Sequence, residues 1–459
     1  MGIRVKYIPT DDGREIAYFP ETQRFFFVDG EMKDLIEDFS KYDRTQIIES
    51  YHIDDATYDD YLDKMVYKPK KKGMSDGEEK KGNFLPRLVI HLANDCNLRC
   101  VYCYANGGSY RTTKDIMGAV TLDRILELFY SEYDGIDMVQ LFGGEPLMNL
   151  DMMDRACRKI REIDDAREIY TDIGLVTNGT LINDRFIELV KKYRLSVTVS
   201  FDGMPEINDR LRVFPNGTGA SEVILEKMHF LQDALDGDFS IEATYSQYHK
   251  DAGLSVLDVY DYIHEMFPKA GVHVAPAGGT DQCDFALKNT EVFPQSVSEV
   301  ADRAAQDPGS PIWCHASALS ELQKLKKKDE MPNDYFCGAG TATLAVSTKG
   351  DIYPCFMLLD LDELRMGNVF DEDVLHSRQY VETLDRLMSF CYKYNHQECM
   401  DCFINTTCCA CLGQFYLNTG ETFRLSPKDC ERYKGQVIEA IKGLARIQEA
   451  EAALQNNKA

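Results

Sequence analysis

From Pro86 to about Pro276 short apolar runs alternate with amphipathic stretches, and no other feature constrains the fold as tightly. Strands are expected at Leu88 to Leu92, Met138 to Phe142, Asp172 to Val176, Ser196 to Phe201, Ser240 to Thr244 and Val272 to Ala275. Helices are expected between them, around Leu122 to Tyr133, Met152 to Ile163, Asp184 to Lys192, Ala220 to Leu235 and Val256 to Met266. Repeated βα units call for a parallel sheet with helices outside. Six strands suit an α/β fold closed only in part, a partial (β/α)6 barrel, which puts ligands at the carboxyl ends of its strands.

At the first strand end lies the run Cys96-Asn-Leu-Arg-Cys100-Val-Tyr102-Cys103. Cysteine thiolates are the usual ligands of iron–sulfur clusters. Three on one loop hold three irons of a [4Fe-4S] cube and leave the fourth open to an exogenous chelator. A zinc knuckle is the competing reading, but it pairs its half-site with a second one nearby, and none follows within forty residues. The spacing resembles that of the radical S-adenosylmethionine (SAM) enzymes. The resemblance matches Cys96, Cys100 and Cys103 to the cluster triad and Tyr102 to the aromatic beside the last cysteine. It implies that SAM chelates the open iron and is split to a 5′-deoxyadenosyl radical.

Further matches sit at later strand ends. Gly143-Gly144-Glu145-Pro146 follows the second strand. Paired glycines allow close approach to the backbone, and a carboxylate accepts charge-assisted hydrogen bonds from an ammonium group. In the family this segment binds the SAM amino group. Asn178, Ser200 and Asp202 match segments facing the nucleoside and methionine parts of SAM, and Arg212 falls where relatives carry an arginine for its carboxylate. Ordinary turn and cap chemistry also accounts for Asn178, Ser200 and Asp202. Tyr104, Tyr110, His273 and Gln282 are candidate cavity residues, with packing or capping as the alternative.

Ten of the fifteen cysteines lie beyond residue 310. Cys337-x12-Gly350-x4-Cys355, then Cys399-x2-Cys402-x5-Cys408, Cys409, Cys411 and Cys430, resemble the SPASM domain of peptide-modifying radical SAM enzymes, which holds two auxiliary [4Fe-4S] clusters. That resemblance gives Cys399, Cys402, Cys408 and Cys430 to an outer cluster and Cys337 and Cys355 to an inner one. It departs at Leu412, where the pattern has a cysteine, so Cys411, with Cys409 as second choice, takes that role. Cys314, Cys391, Cys409 or a substrate cysteine is left as the inner cluster's fourth ligand. A zinc ribbon is the alternative for Cys399-x2-Cys402.

Residues 1–67 differ in character. Arg4 to Tyr7, Glu15 to Phe19 and Arg24 to Val28 read as strands, followed by helical faces at Met32-Leu35-Ile36-Phe39 and Tyr58-Tyr61-Leu62-Met65. This pattern resembles the winged-helix-like module that grips leader peptides; an unspecialised α+β extension is the alternative. Residues 68–85 read as a polar linker. The expected divisions beyond it are 86–300 for the barrel, 301–336 as a bridge, 337–433 for the SPASM domain and 434–459 as a final helix.

A formal net charge of -25 argues against nucleic acid. No apolar run approaches the ~20 residues of a membrane span, and the N-terminus lacks a signal-peptide core, so the expectation is a cytoplasmic protein without membrane partners. Fifteen cysteines in that compartment point to metal centres rather than disulfides. The resemblance implies an oxidoreductase acting on a ribosomally made precursor peptide, with flavodoxin or ferredoxin as reductant. Its first form is thioether closure of the sactipeptide and ranthipeptide type. Carbon–carbon cross-linking, formylglycine-type oxidation and a non-catalytic iron–sulfur protein are the alternatives.

Overall fold

The structure, a computed structural model, describes residues 3–66, 82–307, 312, 315, 334–359 and 361–456. Three antiparallel strands open the chain, β1 (Lys6–Pro9), β2 (Glu15–Phe19) and β3 (Arg24–Val28), paired in that order. Three helices follow, Gly30–Asp38, Arg44–Tyr51 and Asp55–Met65. Asp29, Asp43 and Asp54 cap them, each cap worth about 1 kcal/mol. The middle helix has no counterpart in the sequence reading, because it buries only Ile47 and so carries almost no apolar period.

The second sheet has nine strands. Its parallel run is β4 (Phe84–Ala93), β5 (Gly135–Gly143), β6 (Asp172–Thr177), β7 (Ser196–Ser200), β8 (Ser240–Tyr245) and β9 (Gly271–Pro276), each hydrogen-bonded to the next. All six match the expected strands. From Leu88 to Ala93 β4 is buried on both faces, as a parallel strand covered on both sides must be. Helix Val256–Met266 matches its expected bounds, and a reciprocal Ser255–Asp258 capping box fixes its start.

Three expectations change. Strand β4 begins at Phe84, inside the stretch assigned to the linker, of which 68–81 lies outside the described residues. Helix Val292–Gln306 runs across the expected boundary at residue 300. The final helix starts at Pro427 and therefore includes Cys430.

The sheet also continues past the six strands. β10 (Thr343–Val346) pairs parallel to β4, β11 (Asp351–Tyr353) antiparallel to β10, and β12 (Gly367–Asn368) antiparallel to β11. Cys337 and Cys355 thus flank a hairpin that prolongs the parallel sheet. Helix Pro427–Asn456 packs along Val292–Gln306, where a Cβ on Gly443 would stand 2.3 Å from Ala301 Cβ. Only glycine permits so close an approach.

Candidate functional site

The cysteine loop is tied down on both sides. Asn94, buried at the end of β4, donates from Nδ2 to Ser109 O, Thr112 Oγ1 and Thr113 O at 3.1, 2.7 and 3.0 Å. Beneath the loop passes the Gly143-Gly144 backbone. Gly144 N–H donates to Ala93 O at 2.8 Å and Glu145 N–H to Asp95 O at 2.9 Å. Gly143 has φ +140, and a Cβ on Gly144 would lie 2.2 Å from Asp95 O. The two glycines let the β5 turn fit under the cluster loop as well as border the cavity.

That cavity, about 640 Å³, lies at the carboxyl ends of the parallel strands. Cys96, Cys100, Tyr102, Cys103, Gly143, Gly144, Asn178, Ser200 and Arg212 line it, as do Tyr104, Tyr110 and His273. Cys409 and Cys411 of the C-terminal cysteine field share the same wall.

Three candidate residues, Glu145, Pro146 and Asp202, are buried behind the wall. The buried Glu145 carboxylate accepts from Leu147 N–H, Thr177 Oγ1 and Asn178 N–H at 2.9, 2.7 and 2.8 Å. It therefore braces the ends of β5 and β6, where the sequence reading had it facing an ammonium group. Burial pushes it up to about 7 despite these donors. The buried Asp202 carboxylate likewise binds protein, accepting from Arg212 Nε and Nη2, both at 3.0 Å, from Tyr102 Oη at 2.6 Å and from Thr244 N–H at 2.8 Å. It orients Arg212, whose bidentate pairing fixes the guanidinium plane. Gln282 is exposed and off the cavity.

The sequence reading did not reach Glu242, the one carboxylate lining the cavity among the described residues. It was legible, since β8 alternates buried Ile241, Ala243 and Tyr245 with half-buried Glu242 and Thr244. In register Glu242 lies beside Ser200 on β7 and His273 on β9.

The loop cysteines are largely shielded from solvent and Cys96 meets polar donors. Leu98 N–H and Asn178 Nδ2 donate to Cys96 Sγ at 3.4 and 3.5 Å, contacts that stabilise a thiolate and tune a cluster. Burial, then the charge of Glu145, pushes the Cys96 thiol up to about 12, and burial pushes Cys100 up to about 11. Thiols so placed ionise only when a cation compensates them. Among the described residues no three His, Cys, Asp or Glu side chains converge as ligands of a single metal ion.

In the C-terminal field burial pushes Cys408, Cys411, Cys355 and Cys430 up to about 11, 11, 12 and 12. Cys337 is drawn down to about 6, chiefly by a hydrogen bond from Cys391. Lys393, itself buried, lies within electrostatic reach of Cys399, Cys408 and Cys409, a cation suited to an anionic cluster. Cys314 lies outside the described residues.

Residues 90–245 match the radical SAM superfamily and residues 337–403 an iron–sulfur cluster-binding domain, SPASM. The chain thus carries a radical SAM domain and a SPASM domain, which imply SAM, a [4Fe-4S] cluster and auxiliary clusters as cofactors. The radical SAM cyclopropyl synthase TigE of Paramaledivibacter caminithermalis is 24% identical over 388 residues, 80% of this chain and 76% of the relative. An uncharacterised Archaeoglobus fulgidus protein is 28% identical over 375 residues, 78% and 81% of the two chains. A Methanocaldococcus jannaschii protein is 31% identical over 152 residues, 32% of this chain and 49% of the relative, so the chain spans about half of it. In fold, the chain is similar to anSMEcpe with bound AdoMet, at TM-score 0.65 and 20% identity, over 80% of this chain and 100% of that one. Streptococcus suis SuiB bound to S-adenosylmethionine gives TM-score 0.50 at 16% identity, over 91% and 97%. Among the described residues no helix is long and apolar enough to cross a membrane.

Proposed function

We propose that this enzyme is a peptide maturase that installs a cross-link in a ribosomally made precursor, with closure of a Cys sulfur onto carbon as the first reading. The observation that carries it is the single cavity shared by the Cys96 triad and by Cys409 and Cys411. A side chain seated there stands between the radical source and the auxiliary-cluster domain. When bound, the triad's cluster and SAM supply a 5′-deoxyadenosyl radical that takes a hydrogen atom from substrate carbon.

This chain's residues do the rest. Asn178, Ser200 and the Gly143-Gly144 backbone hold SAM, while Asp202 and Tyr102 keep Arg212 in place for the SAM carboxylate. Phe293 and Phe356 on the cavity wall exclude water. Glu242 accepts the proton released as the new bond closes, and the one electron released with it would leave to the auxiliary-cluster domain. Cys399, Cys402, Cys408 and Cys430 hold the outer cluster, and Cys337, Cys355 and Cys411 belong to the inner one. We assign residues 3–66 to leader recognition, the parallel strands to a partial (β/α)6 barrel, and the electrons to a flavodoxin- or ferredoxin-type donor. A second reading, a carbon–carbon bond, draws support from the relative named a cyclopropyl synthase, which aligns over most of both chains.

The test is mass spectrometry of a precursor peptide encoded beside this gene after anaerobic incubation with enzyme, SAM and reductant. Loss of two hydrogens per link with thiols blocked to alkylation supports the thioether; the same loss with free thiols selects the carbon–carbon bond. An unchanged mass overturns the proposal. Glu242→Gln should keep producing 5′-deoxyadenosine while product formation drops by about 10²–10⁴-fold, the usual worth of a positioned base.

A further inference from the structure

The C-terminal cysteines separate into two sets by which thiols act on one another. Cys430 feels the charges of Cys408, Cys399 and Cys402, and Cys399 and Cys408 each feel Cys402. These four form the outer set. Cys355 feels Cys411 and Cys337, Cys411 feels Cys337, and Cys391 feels both Cys337 and Cys411. Here the set of four includes a residue that the spacing motif does not supply.

Cys391 closes the helix Arg378–Cys391, whose buried face runs Tyr380, Thr383, Leu387, Cys391. Helical periodicity therefore aims its thiol inward. It is fully buried. Its carbonyl accepts from Phe336 N–H at 3.1 Å, which pins the helix end to the residue before Cys337. Its thiol donates to the Cys337 sulfur. It also shares an apolar cluster with Phe336, Leu412 and Phe415, against which Cys337 and Cys355 pack from one set and Cys408 and Cys430 from the other.

We propose that Cys391 is the fourth protein ligand of the inner auxiliary cluster, together with Cys337, Cys355 and Cys411. The proposal deepens the peptide-maturase reading and rests on it for the presence of that cluster. A cube takes one thiolate per iron, so four cysteines close it. A substrate thiol then has no inner-cluster iron to bind, and the cluster serves as an electron carrier. Cys409 acts on Cys408 of the outer set, which already has its four cysteines, and on none of the inner four. It is exposed on the cavity, and its thiol donates to Thr407 O at 3.6 Å.

The test uses full-length protein carrying Cys96→Ala, Cys100→Ala and Cys103→Ala, reconstituted so that only auxiliary clusters remain. Iron content and Mössbauer spectra are recorded with and without cyanide or a cysteine-bearing peptide. The expected result is a spectrum indifferent to both additions, and indifferent to Cys409→Ala. Adding Cys391→Ala should then lower the iron by one cube's share, or leave one iron site whose signal shifts on adding cyanide. The smaller change Cys391→Ser serves if Cys391→Ala does not fold, and should shift one iron site without any addition. A response of the Cys391-containing protein to the peptide thiol overturns the proposal, as does an unaltered spectrum in the Cys391 variants. Failure of the otherwise unmodified enzyme to form 5′-deoxyadenosine would instead sink the maturase reading and leave the ligand count standing.

Discussion

His91, near the carboxyl end of β4, is 1% exposed, and among the described residues neither ring nitrogen has a hydrogen-bond partner. Tyr110 and Phe142 pack against it edge-on, with ring centroids 5.0 and 5.5 Å away. Burial alone pulls the imidazole down to about 3 from 6.5, so it is neutral in the folded protein at working pH. Between those values the unfolded chain takes up a proton that the folded chain refuses. This group's share of stability is therefore intact above about 6.5 and is lost as pH falls toward 3. His91→Leu should flatten that acid limb, and at neutral pH it should leave stability unchanged or raise it, because unpaired buried nitrogens are costly. Urea midpoints at pH 5 and 7.5 check this; an equal loss at both pH values would mean that the ring is needed for packing. The candidate residues divide by the same kind of chemistry. The cysteines and paired glycines were legible because few other residues can ligate iron or pass under a loop. Glu145 and Asp202 were legible as positions but not as roles, since which way a carboxylate turns is set by donors distant in sequence.

Periodicity made nearly every parallel strand and its helix readable, because each buries a regular face. The exceptions have little to bury or pair outside their own segment. Helix Arg44–Tyr51 contributes one core residue, and β12 is two residues long. The contact between Val292–Gln306 and Pro427–Asn456 was invisible for another reason: it depends on Gly443 meeting Ala301, 142 positions apart. Gly443→Ala should destabilise the protein by about 1–3 kcal/mol, the usual cost of overpacking. Ala301→Gly in the same chain should return most of the loss by removing the facing Cβ. Denaturant midpoints of the two single variants and the double variant decide it, since additive losses would mean that the helices do not meet there.

Across the whole molecule the N-terminal module leans on the outer-cluster loop. Arg4 Nη2 donates to Cys402 O at 2.8 Å, Thr406 Oγ1 donates to Pro20 O at 2.7 Å, and buried Tyr18 meets Phe403 edge-on at 6.4 Å. Farther along, Arg14 grips Glu449 at 2.5 and 3.0 Å. Tyr18→Ala, a loss of about 3–5 kcal/mol of packing by analogy with other core aromatics, should speed release of outer-cluster iron to a chelator. Release of inner-cluster iron should stay unchanged; equal rates for both clusters in mutant and parent would show the module to be an independent leader-binding unit. By itself the sequence determined the class of chemistry and the parallel core, because cysteine spacing and hydrophobic period are local properties written within a few residues. Tertiary structure alone decided that β10 to β12 extend the parallel sheet, that Glu145 and Asp202 turn to protein donors, and that the end of the Arg378–Cys391 helix docks on Phe336. Each depends on chain segments brought together by folding, which no local spacing records.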